Sequence, residues 1–442
     1  MSQAEPSPTW FGQPRGLTIL FLTEMWEKFS FFGMRALQVY YMTKQLHIGQ
    51  AHASLIYGLY GAGVYLTPIA GGIVSDRWLG RRRAVVAGGL LMALGHFMMA
   101  SELLFFPAMV VIALGNGLFL PNLPSQVGAL YAEHDPRRAG AYNLYYMGVN
   151  LGAFLAPLVC GTLGEVWGWH YGFGAAGVGM CLGLLVYVAG ARTLPPDTRP
   201  APVAAGPAPG TGGRLGLLVA AGLAVVLFRS AYEQTGNTLA VWIDESVDRH
   251  LFGALVPATW IQSFNPMFVF LFTPVLVGAW TRREARGHEA RALRRMALGA
   301  LGTALSYLFL AGVIRADGLA GRTGGLWPVL LFFAVFTLAE LYILPVGLGL
   351  FARLAPPRFR ATTIAAWFLA AFAGNLLAGI LGAAWTSMRP EVFFAGTAGV
   401  AACAAAVLCG LDLLDAHRER AAGPGASSSE PAVRPCRPAS RS

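Results

Sequence analysis

Glu24, Glu27, Lys28 and Arg35 put four ionisable side chains into one apolar run, FLTEMWEKFSFFGMRALQVYYM at 21–42. A charge at the centre of a membrane helix costs roughly 2.5–3.5 kcal/mol on insertion scales, and residues that carry it usually face an interior cavity and work there. From Glu24 the steps to Glu27, Lys28, Phe31 and Arg35 place all five on one helical stripe, about 16 Å long, which either lines something polar or is the ion-paired face of a short helix in a soluble protein. Carboxylates beside cations at this depth suit proton coupling, because burial and ion pairing both move the charge state of an acid. Of the 22 acidic residues, five lie in or at apolar spans: Glu24, Glu27, Asp76, Glu233 and Glu340. The remaining seventeen fall in loops, tails or span ends, which makes the few inside informative.

The elements that must position these groups are membrane helices. The chain is 442 residues long, 55% hydrophobic and only 12% charged, against about 25% charged in a soluble domain. Apolar stretches of about 20 residues recur along it, and the expected fold class is an all-α integral membrane protein. Twelve spans are predicted, at 16–42, 54–75, 84–103, 106–130, 140–163, 172–191, 215–243, 255–281, 294–314, 326–353, 361–386 and 391–414. A Pro/Ala/Gly-rich stretch at 192–214 reads as a flexible linker. It divides the chain into a six-helix bundle at 1–191 and a second at 215–420, with a disordered tail at 421–442. No cleavable leader is expected, for want of a basic stretch and a small-residue cleavage site.

With both termini cytoplasmic, the inner loops hold eighteen arginines, and the outer loops only Lys44, Arg249, Arg315, Arg322 and Arg389. This bias sets the expected orientation in the cell membrane. The net charge of +10 is then topology, and no nucleic-acid partner is implied. The basic run at 282–295 reads as a solvated loop near anionic headgroups. The five cysteines, none paired in an outer loop, give no disulfide framework.

Between the second and third spans runs GGIVSDRWLGRRR (71–83), in which Gly72, Asp76, Arg77, Gly80 and Arg81 follow the order Gly-x-x-x-Asp-Arg-x-x-Gly-Arg. This resembles the loop signature of the major facilitator superfamily. The first-span ExxE-basic-Phe-x-aromatic-aromatic-Gly pattern narrows the likeness to the proton-dependent oligopeptide transporter (POT, peptide/nitrate transporter) family. GNGLFLPNLPSQVGALY (115–131), YNLYYMGVNLGAFLAPLVCGTLGE (142–165), YEQTGNTL (232–239), QSFNP (262–266), LAELYILPVGLGL (338–350) and PPRFRATTIAAWFLA (356–370) are similar to that family's later helices.

The resemblance implies a major facilitator fold of twelve helices and a proton-driven symporter of di- and tripeptides or peptide-like molecules, working by alternating access. Relatives carry nitrate or other anions, so a non-peptide substrate such as an amino-acid derivative is an alternative. A non-transporting sensor on the same scaffold is another. By motif match, Glu24, Glu27, Lys28 and Glu233 would serve proton coupling, and Arg35 would pair with Glu233 across the halves. Glu340 would receive a peptide's ammonium group, and Tyr65, Asn150, Asn265 and Trp367 would line the cavity, each with ordinary helix packing as the bland alternative.

Several residues depart from the family pattern. Leu120 stands where the fourth helix usually has a Lys, so Glu340 loses its expected partner. Lys28 replaces an Arg and gives up the bidentate fork, and Phe31 and Phe32 replace tyrosines. Leu344 replaces a Ser, and Arg229 stands where a Trp is usual. Arg229 has three placements open to it: pairing with Glu233 one turn on, facing the cavity beside Glu340, which is favoured, or snorkelling to an interface. Thirty of the 32 cations are Arg, so Lys28 is either drift or a cation chosen because an ammonium can release its proton. His96 reads as a packed polar residue.

Enzyme chemistry is not written in the chain: it lacks a phosphate-loop motif, and His288-Glu289 lacks the second His of a zinc protease. No cofactor or metal is expected beyond the proton gradient. The expected partners are a small-molecule substrate, protons and the lipid bilayer. Substrate identity and oligomeric state are not encoded legibly.

Overall fold

The computed structural model describes residues 12–132, 135–196, 212–251, 253–286, 291–354 and 360–421. Most of the expected linker, part of the basic run at 282–295, the start of the PPRFR motif and nearly all of the tail lie outside them.

The described residues form twelve long helices: α1 Arg15–Tyr40, α2 Gln50–Leu79, α3 Arg81–Met98, α4 Glu102–Ala129, α5 Gly140–Trp167, α6 Trp169–Thr193, α7 Gly216–Ser246, α8 Ala258–Glu284, α9 Ala292–Leu319, α10 Leu326–Phe351, α11 Ala365–Ser387 and α12 Pro390–His417. Ten are long and apolar enough to cross a membrane. The other two are charged for different reasons. α3 opens on Arg81, Arg82 and Arg83, which take up one end of an 18-residue helix. α1 carries its charges in the middle, where Glu24 and Glu27 are buried in the protein. A two-stranded ribbon, β1 His250–Leu251 against β2 Ala254–Leu255, sits between α7 and α8.

α1 packs on α5 and α6, and α3 and α4 pack on each other, with α2 against α4. In the second half, α9 packs on α10 and α12, and α7 packs on α11 and α12. Each half has its own apolar cores; in the second, Tyr307, Phe332, Phe336 and Phe394 stack into one aromatic block. The halves meet along two seams, α2 with α11 and α5 with α8. The two seams use equivalent helices of the two halves, since α8 is six on from α2 and α11 six on from α5, as internal structural repeats require. The α2/α11 seam is made by backbones: a Cβ on Gly58 would lie 2.6 Å from the Asn375 carbonyl oxygen and 2.6 Å from Gly379 Cα.

All helix junctions of odd order lie at one end of the molecule, away from the termini, and there the halves are bonded together. Tyr40 Oη donates to the Ala240 carbonyl at 3.0 Å, and Ser54 Oγ donates to Asn237 Oδ1 at 2.9 Å. A chain of charges runs across the same end. Lys44 Nζ is 2.5 Å from Asp244, which takes Arg249 at 3.0 Å; Arg249 in turn stands 4.0 Å from Glu165. Glu165 accepts the N–H groups of Ala258 at 3.0 Å and Thr259 at 2.8 Å, the first amides of α8. A helix N-terminus favours such an anion because its first amides have no partner of their own. Trp260 Nε1 adds a bond to Thr162 at 2.8 Å. From sequence, Glu165 and Asp244 were only span-end acids; the structure gives them work between the halves.

Candidate functional site

Three clusters of buried charge line up through the middle of the molecule. In the first, Lys28 Nζ lies 2.6 Å from Glu27 and 3.4 Å from Glu24. Glu24 lies one turn before Lys28 and Glu27 is its chain neighbour, so α1 alone brings the three together.

The second cluster is built on α7. The helix tightens to a 3₁₀ turn at Glu233–Gly236 and breaks at Asn237, where φ is −112° and ψ is −100°. The predicted span at 215–243 is therefore not one regular helix. Glu233 pairs with two guanidiniums: Arg35 of α1 donates to one oxygen, and Arg229 Nη2 stands 2.8 Å from the other as an ion pair. Arg35 also donates to Tyr57 Oη at 3.0 and 2.7 Å, and Arg229 donates to Tyr65 Oη at 2.6 Å. Tyr57 and Tyr65 are on α2, so the carboxylate ties α1, α2 and α7 together. Arg229 lies one turn before Glu233 and takes that carboxylate as its partner. Among the described residues it forms no ion pair with Glu340, beside which it was expected to stand in for the missing cation.

The third cluster surrounds Glu340 of α10. Tyr232 Oη donates to Oε1 at 3.1 Å, and Asn265 Nδ2 to Oε2 at 2.6 Å. Both donors are neutral, and among the described residues no cation forms an ion pair with Glu340. Burial of a carboxylate without a cation is costly unless hydrogen bonds satisfy its oxygens, which these two partly do.

A cavity of about 160 Å³ lies between the second and third clusters. Arg35, Glu233 and Glu340 face it, with Phe32, Asn150 and Asn265. Tyr57, Tyr146, Tyr232 and Gln262 complete its polar wall. Pro157 lines it where α5 loosens into a π-helical turn at Pro157–Gly161, a feature common at functional sites.

Other expected lining residues do not line this particular cavity. Trp367 packs its ring 5.3 Å from Phe351 and over Gly347, between α10 and α11. Tyr65 is engaged by Arg229 and Phe368. Phe31 is buried between the two α1 cations, its ring 6.0 Å from Lys28 Nζ and 5.9 Å from Arg35 Cζ. Leu120 sits where α4 breaks before Pro121, away from the cavity. In the α2–α3 loop Gly80 has φ +77°, which favours glycine, whereas Asp76 and Arg77 are exposed. The close approach is made by Gly71 against the Gly117 carbonyl; around Gly72 there is open space. Arg81 opens α3. His96 is fully buried, and neither ring nitrogen has a hydrogen-bond partner among the described residues.

Tyr57, Tyr146, Tyr232 and Gln262 were not found by sequence reasoning. A tyrosine hydroxyl in an apolar span looks the same whether it lines a cavity or packs; only the helix breaks and the acids it reaches distinguish the two.

Twelve helices in two halves, meeting around a central polar cavity, define a major facilitator transporter fold. The chain belongs to the POT family, whose model matches residues 82–201 and 214–392. A peptide transporter of Yersinia enterocolitica is 31% identical over 90% of this chain and 94% of its own length. A di-/tripeptide transporter of Lactococcus lactis subsp. cremoris is 32% identical over 82% and 88%. Among solved structures, a POT peptide transporter in complex with sulfate superposes with a TM-score of 0.84 at 31% identity, covering 93% of this chain and 96% of that one. A POT family transporter in complex with 5-aminolevulinic acid gives 0.83 at 26% identity, over 91% and 97%. The chain is accordingly a multi-pass membrane protein, and these relatives are transporters.

Proposed function

We propose that this protein is a proton-coupled symporter of di- and tripeptides or peptide-like small molecules in the cell membrane, with both termini cytoplasmic. The observation that carries the reading is Glu233, held by Arg35 of the first half and Arg229 of the second, in the wall of the central cavity. Breaking that contact is a step that opening one side of the cavity needs. The bonded far end supports an inward-facing arrangement, since the positive-inside rule makes that end the outer one. Glu24 and Glu27 share Lys28 and supply carboxylates able to exchange protons as their surroundings change.

A shifted substrate within the family is favoured by one contrast. Glu340 offers an amine a carboxylate held only by neutral donors, whereas Lys28, Arg35 and Arg229 are each engaged by a carboxylate of the protein. The cavity therefore recognises an ammonium group more strongly than a free carboxylate.

Uptake into proteoliposomes under an imposed pH gradient tests the reading, with dipeptides, their C-terminal amides, nitrate and amino-acid derivatives as substrates. Accumulation of peptides or amides that collapses with the gradient is the expected result. Saturable binding without any flux would replace the transporter reading with that of a sensor.

A further inference from the structure

The outer loops are poor in cations, and the five they hold are not scattered. Lys44 and Arg249 are used in the charge chain between the halves. The other three, Arg315, Arg322 and Arg389, all line one cavity of about 540 Å³ in the second half, between the ends of α7, α9 and α12. Arg322 is paired with Asp317 at 3.2 Å. Arg315 and Arg389 have no ion-pair partner among the described residues, and both are exposed. Glu391 also lines the cavity, so its walls carry three cations against two anions. Trp242 provides an aromatic wall, and Leu319, 81% exposed, stands at its edge. The first residues of α12, Pro390 and Glu391, belong to the lining, so the positive end of that helix adds to the field.

We infer that this cavity is a binding site for a phosphate-bearing anion, held by Arg315 and Arg389 and taken in preference from a lipid headgroup. Guanidinium forks match the oxygens of phosphate. The cavity sits beside exposed apolar surface, including Trp327, 80% exposed at the start of α10, and a tryptophan at a helix end suits the headgroup level of a bilayer. The site lies outside the central cavity and does not depend on how the transport cycle is read.

The test uses the full chain purified from a membrane containing phosphatidylglycerol, with Arg315→Gln/Arg389→Gln as the variant. Arg282→Gln/Arg283→Gln, two exposed arginines at the opposite end of the molecule, is the control. Native mass spectrometry counts retained phosphatidylglycerol, and thermal unfolding is followed with inorganic phosphate at constant ionic strength. The expected result is at least one phosphatidylglycerol retained by parent and control and lost from the variant, with affinity about tenfold weaker in titrations. A phosphate-dependent rise in melting temperature, seen in parent and control but not in the variant, with no lipid difference, would support the same site with free phosphate as its ligand. Parent and variant alike in both measurements, or a control that loses as much as the variant, would overturn the inference. Where the double variant does not purify, Arg389→Gln alone is read in the same way.

Discussion

Glu233 and Glu340 flank one cavity and are treated in opposite ways. Glu233 has two guanidiniums, one from each half of the molecule. Glu340 has two neutral donors, both from its own half. A carboxylate saturated by cations across a seam is a fastener, because separating the halves uncovers charge on both sides. A carboxylate satisfied by a phenol and an amide keeps its attraction for a cation that arrives from outside. Under the proposed transport cycle the difference divides the labour: Glu233 would report the conformation and Glu340 the cargo.

That division breaks most severely at Glu233. Glu233→Gln leaves Arg35 and Arg229 buried with no counter-ion between them, and removing one partner of a buried pair costs about 3–5 kcal/mol. Gradient-driven uptake in proteoliposomes is expected to vanish and the melting temperature to fall; near-parental uptake would sink the fastener role. Glu340→Gln comes next. The amide keeps the size and the neutral hydrogen bonds, so the fold should hold. Binding of amine-bearing substrates should weaken about tenfold to a hundredfold, since a hydrogen bond to a charged group is worth roughly 1.5–3 kcal/mol. A titration showing equal affinity would erase the contrast between the two acids.

Arg229→Gln should do less, because Arg35 still holds Glu233. Turnover is expected to drop about tenfold, the rate equivalent of one weakened charge pair, with KM little changed. A rise in KM without loss of rate would move Arg229 from fastening to substrate contact. Lys28→Arg is the mildest change. It keeps the charge beside Glu24 and Glu27 but makes it permanent. Uptake at one pH should survive while the pH profile shifts; an unchanged profile would make Lys28 a plain counter-ion.

Much of the fold is legible in the chain, because twelve apolar lengths and the α1 stripe are local patterns. The central acids could be found for the same reason: a charge in an apolar run stands out. Their partners could not, as Arg229 shows. Three placements satisfied its sequence context, and only the fold, by turning α7 so that Tyr65 and Glu233 both reach it, selects one. Trp367 illustrates the converse, since a motif position does not say which neighbour fills the space; here Gly347 makes room for the ring. The charge chain through Lys44, Asp244, Arg249 and Glu165 was hidden because charges at span ends look like ordinary loop residues. Nothing in the sequence says that α5 delivers its acid to the first amides of α8.

The α2/α11 seam has a consequence of another kind. At Gly58 and Gly379 the two halves touch main chain to main chain, so no side chain cushions the contact. Such a joint has no slack: one extra carbon atom there acts as a wedge. If the protein works by the alternating access proposed above, the balance between its open and closed shapes is adjustable there by a single methyl group, with no ligand, antibody or voltage required.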